Sequence, residues 1–421
     1  MHHFQPTNNR IKFETPGTNV QNRIQFRHMY QRLCKPLVSH SFFLFGARGT
    51  GKTKLLQSLF PDHESVLWVD LLREGEVLQF LRSPNELRSR LDALAKPPSF
   101  VVIDEVQRVP SLLNEVHSLI EERQQKFALT GSSARKLRRG AANLLAGRAL
   151  LNHLFPLTYR ELGGDFSLER VLRWGSLPAV VNEGNPDVRN ALLRTYVDVY
   201  LREEIREEQL VRNLDPFARF LEAAAQSSGH IINFSKIARE AGTDSKGVAR
   251  YFQILEDTLL GFFLEPYHSS IRKRQRQQAK FYLFDIGVKR ALEGALRTEP
   301  SPQTYEWGRA FEHLVILEAH RLNAYLQFDY KFSYLKTQGQ LEIDLIVERR
   351  GEPTWAIEIK SAAEIDIVEL RRLKDLAAAI PHSRPVVFCT AAQRKVIDGV
   401  LVIPWEQGID ELFSLPALGR S

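Results

Sequence analysis

Gly46-Ala47-Arg48-Gly49-Thr50-Gly51-Lys52-Thr53 is a complete G-x-x-x-x-G-K-[ST] segment. The apolar run Ser41–Phe45 precedes it and the helical pattern KLLQSLF follows it directly. Strand, glycine loop and helix in that order make a phosphate cradle: inward-turned backbone N–H groups and a helix N-terminus favour anionic oxygens. Lys52 is placed to reach the β and γ oxygens of a nucleotide, and the Thr53 hydroxyl to hold Mg²⁺. The partner segment is Phe100-Val101-Val102-Ile103-Asp104-Glu105, an apolar run ending in two acids. Asp104 suits contact with Mg²⁺ through its water shell, and Glu105 suits polarisation of an attacking water, so hydrolysis is expected. No Asn-Lys-x-Asp guanine-reading segment occurs, which favours ATP over GTP.

Short apolar runs at Ser41–Phe45, Val66–Leu71, Phe100–Val106 and Lys126–Thr130 alternate with helical stretches, the signature of a parallel sheet covered on both faces. Ligands sit at the carboxyl ends of such strands, so Thr130, Ser132 or Ser133 is placed to sense a γ-phosphate. A Ser/Gly turn capping the next helix is the other reading of that segment. Among the arginines of 134–140 and Arg148, the expectation for a finger reaching a neighbouring subunit's nucleotide falls on Arg148.

At 421 residues the chain exceeds one core, and 43% apolar with 25% charged residues is globular composition. The formal charge of +7 is unevenly spread: residues 1–60 hold nine basic groups and one acid, whereas 301–421 hold 14 basic and 17 acidic. A uniformly basic nucleic-acid binder is thereby excluded. Two cysteines, Cys34 and Cys389, rule out a disulfide framework or a Cys-based zinc site. The start of the sequence has no signal-peptide core and no window has 18 uninterrupted apolar residues, so the expected location is cytoplasmic, with no membrane partner.

The expected organisation is a mobile arm (1–25), a P-loop ATPase unit (26–160), a helical lid with a winged-helix module (161–300) and a nuclease-like α/β unit (301–421). The middle reads as helical with no convincing strand: TYVDVYLREEIREEQL as one long helix, then Asn233–Gly242 and 244–267 at helix-turn-helix spacing. Lys246 and Arg250 point outward as candidate DNA contacts, with Arg272, Lys273, Arg274 and Arg276 in a basic run, 271–280, suited to touching phosphates. A protein-contact module and a solvated loop are the structural alternatives.

In the last unit, period-2 alternation puts Glu342 and Asp344 on one face of the strand Leu341–Val347, and Glu358 and Lys360 on one face of Trp355–Ser361. Paired across the 349–353 turn, Asp344 and Glu358 suit a divalent metal and Lys360 the charge of a cleaved phosphodiester, with Glu312 as a further carboxylate. A salt-bridged outer face of a hairpin is the structural alternative.

Together GARGTGKT, VVIDEVQRVP, LTGSSARKLRRGAANLLAGRA with PLTYREL, YLREEI, LEDTLL, FYLFDIGV and the paired EID and EIK resemble a prokaryotic family of AAA-type ATPases. In that family the ATPase is fused to a C-terminal domain of unknown function with a restriction-endonuclease-like fold. The resemblance implies ATP and Mg²⁺ as ligands and phosphate, metal and water-activating roles for Lys52, Thr53, Asp104 and Glu105. It also implies the nuclease pattern on Asp344, Glu358 and Lys360. Ile343 stands where a proline often precedes that aspartate. The expected function is ATP turnover coupled to binding or remodelling duplex or branched DNA, in a homo-oligomer such as a hexameric ring. The alternative is an ATP-dependent protein–protein regulator with a degenerate nuclease-like unit.

Overall fold

The computed structural model describes residues 29–132, 145, 147–201, 214–267, 278–337, 339 and 341–416. The arm 1–25, Ser133, the arginines of 134–140, most of the YLREEIREEQL segment, and Arg272, Lys273, Arg274 and Arg276 lie outside the described residues.

Five parallel strands form the first sheet: β1 (Ser41–Phe45), β2 (Val66–Asp70), β3 (Phe100–Asp104), β4 (Phe127–Gly131) and β5 (Ala149–His153), in the order β2-β3-β4-β1-β5. The expected runs are the first four strands, within a residue or two at their ends. Their near-continuous hydrophobicity has a direct cause. Phe43, Phe45, Val101, Ile103, Phe127 and Leu129 feed one core, while Phe42, Leu44, Phe100, Val102 and Ala128 feed another on the opposite face. β5 was not foreseen: it is an edge strand whose Leu150 and Leu151 remain exposed, so the apolar run that flags a central strand is weak there.

The segment 161–300 contains strands where the sequence offered no convincing strand signal. Helices Leu214–Gln226, Phe234–Ala241 and Ser245–Asp257 are present. Asn233 and Asp244 cap the last two, and Gly242 leaves the first of those in the left-handed region (φ 68). The third helix does not run on to residue 267. Leu259 turns to φ 58 and the chain enters β6 (Gly261–Pro266), which pairs antiparallel with β7 (Lys280–Leu283). Gly261 permits this because a Cβ there would lie 2.2 Å from the Phe281 ring. Phe252, Phe263 and Phe281 then pack edge-on beneath the hairpin.

β6 also pairs, in parallel, with β8 (Lys331–Lys336), so the hairpin extends the sheet of the C-terminal part. That sheet contains β9 (Glu342–Glu348), β10 (Thr354–Ile359), β11 (Ser383–Cys389), β12 (Lys395–Ile397) and β13 (Val400–Pro404). Its order is β12-β13-β11-β10-β9-β8-β6-β7. Helix Tyr305–Leu326 packs Phe311, Leu314 and Val315 on one face of it, and helix Ile367–Ala378 packs Leu370 and Leu373 on the other. No helix among the described residues is long and apolar enough to cross a membrane.

Candidate nucleotide site and C-terminal carboxylate pocket

The phosphate loop leaves β1 beside β4. Gly46 is required by space, because a Cβ would meet the Leu154 carbonyl oxygen at 2.3 Å; Gly49 and Gly51 are required by backbone, at φ 81 and 96. Lys52, only 6% exposed, donates to the Gly46 carbonyl at 2.9 Å and lies 3.6 Å from Glu105. Thr50 is closed onto the Ala47 carbonyl at 2.8 Å, which fixes the loop from within. Arg48 lines the cleft.

Strand order brings the acids to this loop. Asp104 is 3% exposed at the end of β3; its Oδ2 accepts from the Thr53 hydroxyl at 2.7 Å and its Oδ1 from the Thr130 hydroxyl on β4. Thr130 in turn accepts from the Glu105 N–H at 3.0 Å. Glu105 sits at φ 60, ψ 48, a left-handed backbone that is uncommon for a non-glycine residue. The side-chain amide of Gln107 donates to Glu105 and, at 3.0 Å, to Ser132. Gln107 was missed from sequence, although it stands two residues beyond the acid pair. A hard cation between Thr53 and Asp104, facing the loop glycines, fits this donor set: a hydroxyl and a buried carboxylate within hydrogen-bond reach of each other.

The cleft, about 1170 Å³, is completed by parts that carry no motif. Residues 29–35 form one wall and the short helix Pro178–Val181 another. Arg32 donates to the Thr50 carbonyl (2.7 Å), the Phe155 carbonyl (2.6 Å), Glu161 (2.9 Å) and the Tyr325 hydroxyl (3.2 Å). One buried guanidinium thus joins the phosphate loop to the helix Tyr305–Leu326. Nothing in the local sequence of Arg32 signals this, since its partners lie 18 to 293 residues away. Arg148 is on the protein's outside, paired with Glu121.

Lys246 and Arg250 are both exposed, one turn apart on the helix Ser245–Asp257, and neither is ion-paired among the described residues.

The C-terminal carboxylates do gather. β9 and β10 pair as Val347–Trp355, Ile346–Ala356 and Leu345–Ile357, so the next step along brings Asp344 beside Glu358. Glu312 approaches from the helix above. Lys280, however, reaches into the same cluster of carboxylates. This residue is 2% exposed on β7, where a basic loop touching phosphate was expected. Its ammonium contacts Glu312 at 3.2 Å and also Glu342. Tyr282 donates to Glu312 at 2.8 Å, and Arg309 lies 3.5 Å from its other oxygen. Asp344 accepts from the Ile359 N–H at 2.8 Å, and Lys360 pairs with Glu358 at 3.0 Å and Glu369 at 3.4 Å.

Burial, with Glu358 and Glu312 adding repulsion, pushes the Asp344 carboxyl far above its ordinary range. Burial also raises Glu358, partly offset by Lys360. For Glu312 burial is outweighed by Lys280 and Arg309, which hold it low. Among the described residues no three His, Cys, Asp or Glu side chains converge as metal ligands. A divalent metal at Asp344 and Glu358 would go without Glu312 as a further ligand, because both Glu312 oxygens are engaged by Lys280, Tyr282 and Arg309.

Residues 39–163 match the family model described as AAA domain, 165–299 a domain of unknown function (DUF8612) and 307–407 another (DUF4143). An uncharacterized protein of Mycobacterium tuberculosis is 28% identical over 336 residues, covering 77% of this chain and 73% of its own length. An uncharacterized protein of Haemophilus influenzae is 22% identical over 391 residues, covering 85% and 91% respectively. Among solved structures, domain III of the Thermotoga maritima replication initiation protein DnaA aligns at 16% identity with a TM-score of 0.23, over 52% of this chain and 84% of that one. The segment 39–163 thus combines a match to the AAA domain model with a parallel sheet and a phosphate loop.

Proposed function

We propose that the protein is a Mg²⁺-dependent ATP hydrolase that couples turnover to binding or remodelling DNA. The observation that carries the hydrolase reading is the linked set Thr53–Asp104–Thr130–Glu105, with Lys52 3.6 Å from the same glutamate. In this reading Thr53 and Asp104 hold the metal, which when bound neutralises charge on the β and γ oxygens. Lys52 exchanges the Gly46 carbonyl and Glu105 for phosphate oxygens, which releases the Glu105 carboxylate toward water. Glu105 orients that water and takes its proton. Thr130 and Ser132, held on Asp104 and Gln107, register the γ-phosphate. Arg148 serves a neighbouring subunit of a homo-oligomer; its exposed pair with Glu121 is the kind that costs little to break.

The cations Lys246 and Arg250, without an ion pair among the described residues and on one exposed helix face, support DNA as the partner, with 161–300 as lid and winged-helix module and 301–421 as the nuclease-like unit. A second reading, an ATP-dependent protein–protein regulator with a degenerate nuclease-like unit, is favoured by one observation: Lys280 stands among the carboxylates where a metal would be needed. ATP turnover measured with and without duplex and branched DNA tests the proposal. Lys52→Ala should abolish turnover and Glu105→Gln should reduce it by about 10²-fold or more while leaving ATP binding. Retained turnover in both overturns the site, and turnover indifferent to DNA favours the regulator.

A further inference from the structure

A second cavity, of about 520 Å³, lies on the far side of Pro178–Val181 from the phosphate loop, between the helices Leu168–Trp174 and Pro186–Thr195. Its wall shares Tyr30 and Asn182 with the nucleotide cleft. Arg189 faces it and is only 7% exposed. The Nε of Arg189 donates to the Glu183 carbonyl at 2.5 Å and its guanidinium lies over the Trp174 ring, 4.8 Å from the centroid. Among the described residues it makes no ion pair, an unusual condition for a buried guanidinium, which pays desolvation without a counter-charge.

Two acids line the same cavity, each hydrogen-bonded by a neutral donor rather than ion-paired with Arg189. Asp165 accepts from the Tyr30 hydroxyl at 3.0 Å, and Glu183 accepts from the Asn185 N–H at 2.8 Å. Arg170, exposed in the lining, has no carboxylate partner among the described residues either; it donates to the Asp165 main-chain carbonyl at 2.7 Å. Arg170 adds positive potential at Arg189, Glu183 opposes it, and Arg173, itself paired with Glu299, adds a weaker share. The site therefore holds a fixed planar fork of donors on an aromatic floor, with no ion pair to the fork among the described residues, which matches a carboxylate or phosphate group attached to a small body.

We propose that this cavity binds a small oxyanion, carboxylate or phosphate, gripped by Arg189 with Arg170 in the lining. The site is independent of the hydrolase reading, since none of its residues belongs to the phosphate loop or the acid pair.

Equilibrium dialysis of the full chain saturated with ADP, against radiolabelled inorganic phosphate in one arm and radiolabelled succinate in the other, tests it and separates the two chemistries. The expected result is one anion bound per chain in at least one arm, weakened tenfold or more in Arg189→Met and retained in Lys52→Ala. Arg170→Ala, a change at an exposed side chain that leaves the core untouched, should also weaken it and serves if Arg189→Met does not fold. No uptake of either anion at millimolar concentration, uptake indifferent to both arginine variants, or uptake lost in Lys52→Ala overturns the proposal.

Discussion

The Tyr325 hydroxyl accepts a hydrogen bond from Arg32 at 3.2 Å, and a second nitrogen of the same guanidinium donates to the Thr50 carbonyl of the phosphate loop at 2.7 Å. Tyr325 also accepts from the Phe155 N–H at 2.9 Å, so one phenol oxygen closes the junction between the first sheet and the helix Tyr305–Leu326. Tyr325→Phe keeps the ring but strands a buried N–H. The expected loss is about 1–3 kcal/mol of stability, together with ATP affinity lowered several-fold as Arg32 loosens. Chemical denaturation and nucleotide titration check this, and an unchanged ATP affinity would separate the junction from the cleft.

Lys280 makes a second testable point. Replacing it by Met leaves Glu312 and Glu342 without their shared ammonium, at a cost of about 3–5 kcal/mol typical of breaking a buried pair. If a divalent ion and Lys280 exclude one another, Mn²⁺ titration without nucleotide should find no site dependent on Asp344 in the wild-type protein. One should appear in Lys280→Met and vanish again when Asp344→Asn is added. Lys280→Gln, which keeps a donor to Glu312, is the milder companion. An Asp344-dependent Mn²⁺ site in the wild type would contradict that exclusion.

The exposed helix face gives a third prediction. Each phosphate contact contributes about 0.9 to the slope of log K against log salt, so Lys246→Ala with Arg250→Ala should flatten that slope by about two on duplex DNA. A slope identical to wild type would exclude this helix from the DNA contact.

His313 supplies a pH dependence. Burial, with Lys289 nearby, pushes its imidazole down to about 3, and its Nε2 donates to the Leu283 carbonyl at 2.7 Å. An unfolded chain protonates this group near pH 6.5. Between 6.5 and 3 the unfolded state thus binds a proton that the fold refuses, and stability falls as pH falls. From pH 7.5 to 5 the share of His313 amounts to about 2 kcal/mol. His313→Gln, neutral at every pH, should remove that share of the decline in urea midpoints; an unaltered decline would show that His313 titrates normally in the fold.

Much of the first sheet was readable along the chain because its evidence is local. Consecutive apolar residues serve opposite cores, and Gly49 and Gly51 occupy a backbone region that few other residues tolerate. Asp104–Glu105 was legible as the acidic end of an apolar run, and the shared faces of Asp344 and Glu358 followed from a strand's period of two. Sequence alone therefore determined the phosphate loop, its acid pair and the presence of carboxylates on one face of a hairpin. Only the tertiary structure decided what stands next to them. Arg32, Lys280 and Arg189 are ordinary basic residues in sequence, and what distinguishes each is its surroundings: a carbonyl of the phosphate loop, an acid from another strand, or a cavity over an indole ring. A charge acquires its meaning from desolvation and from neighbours brought together by folding, and neither is written in the residues beside it.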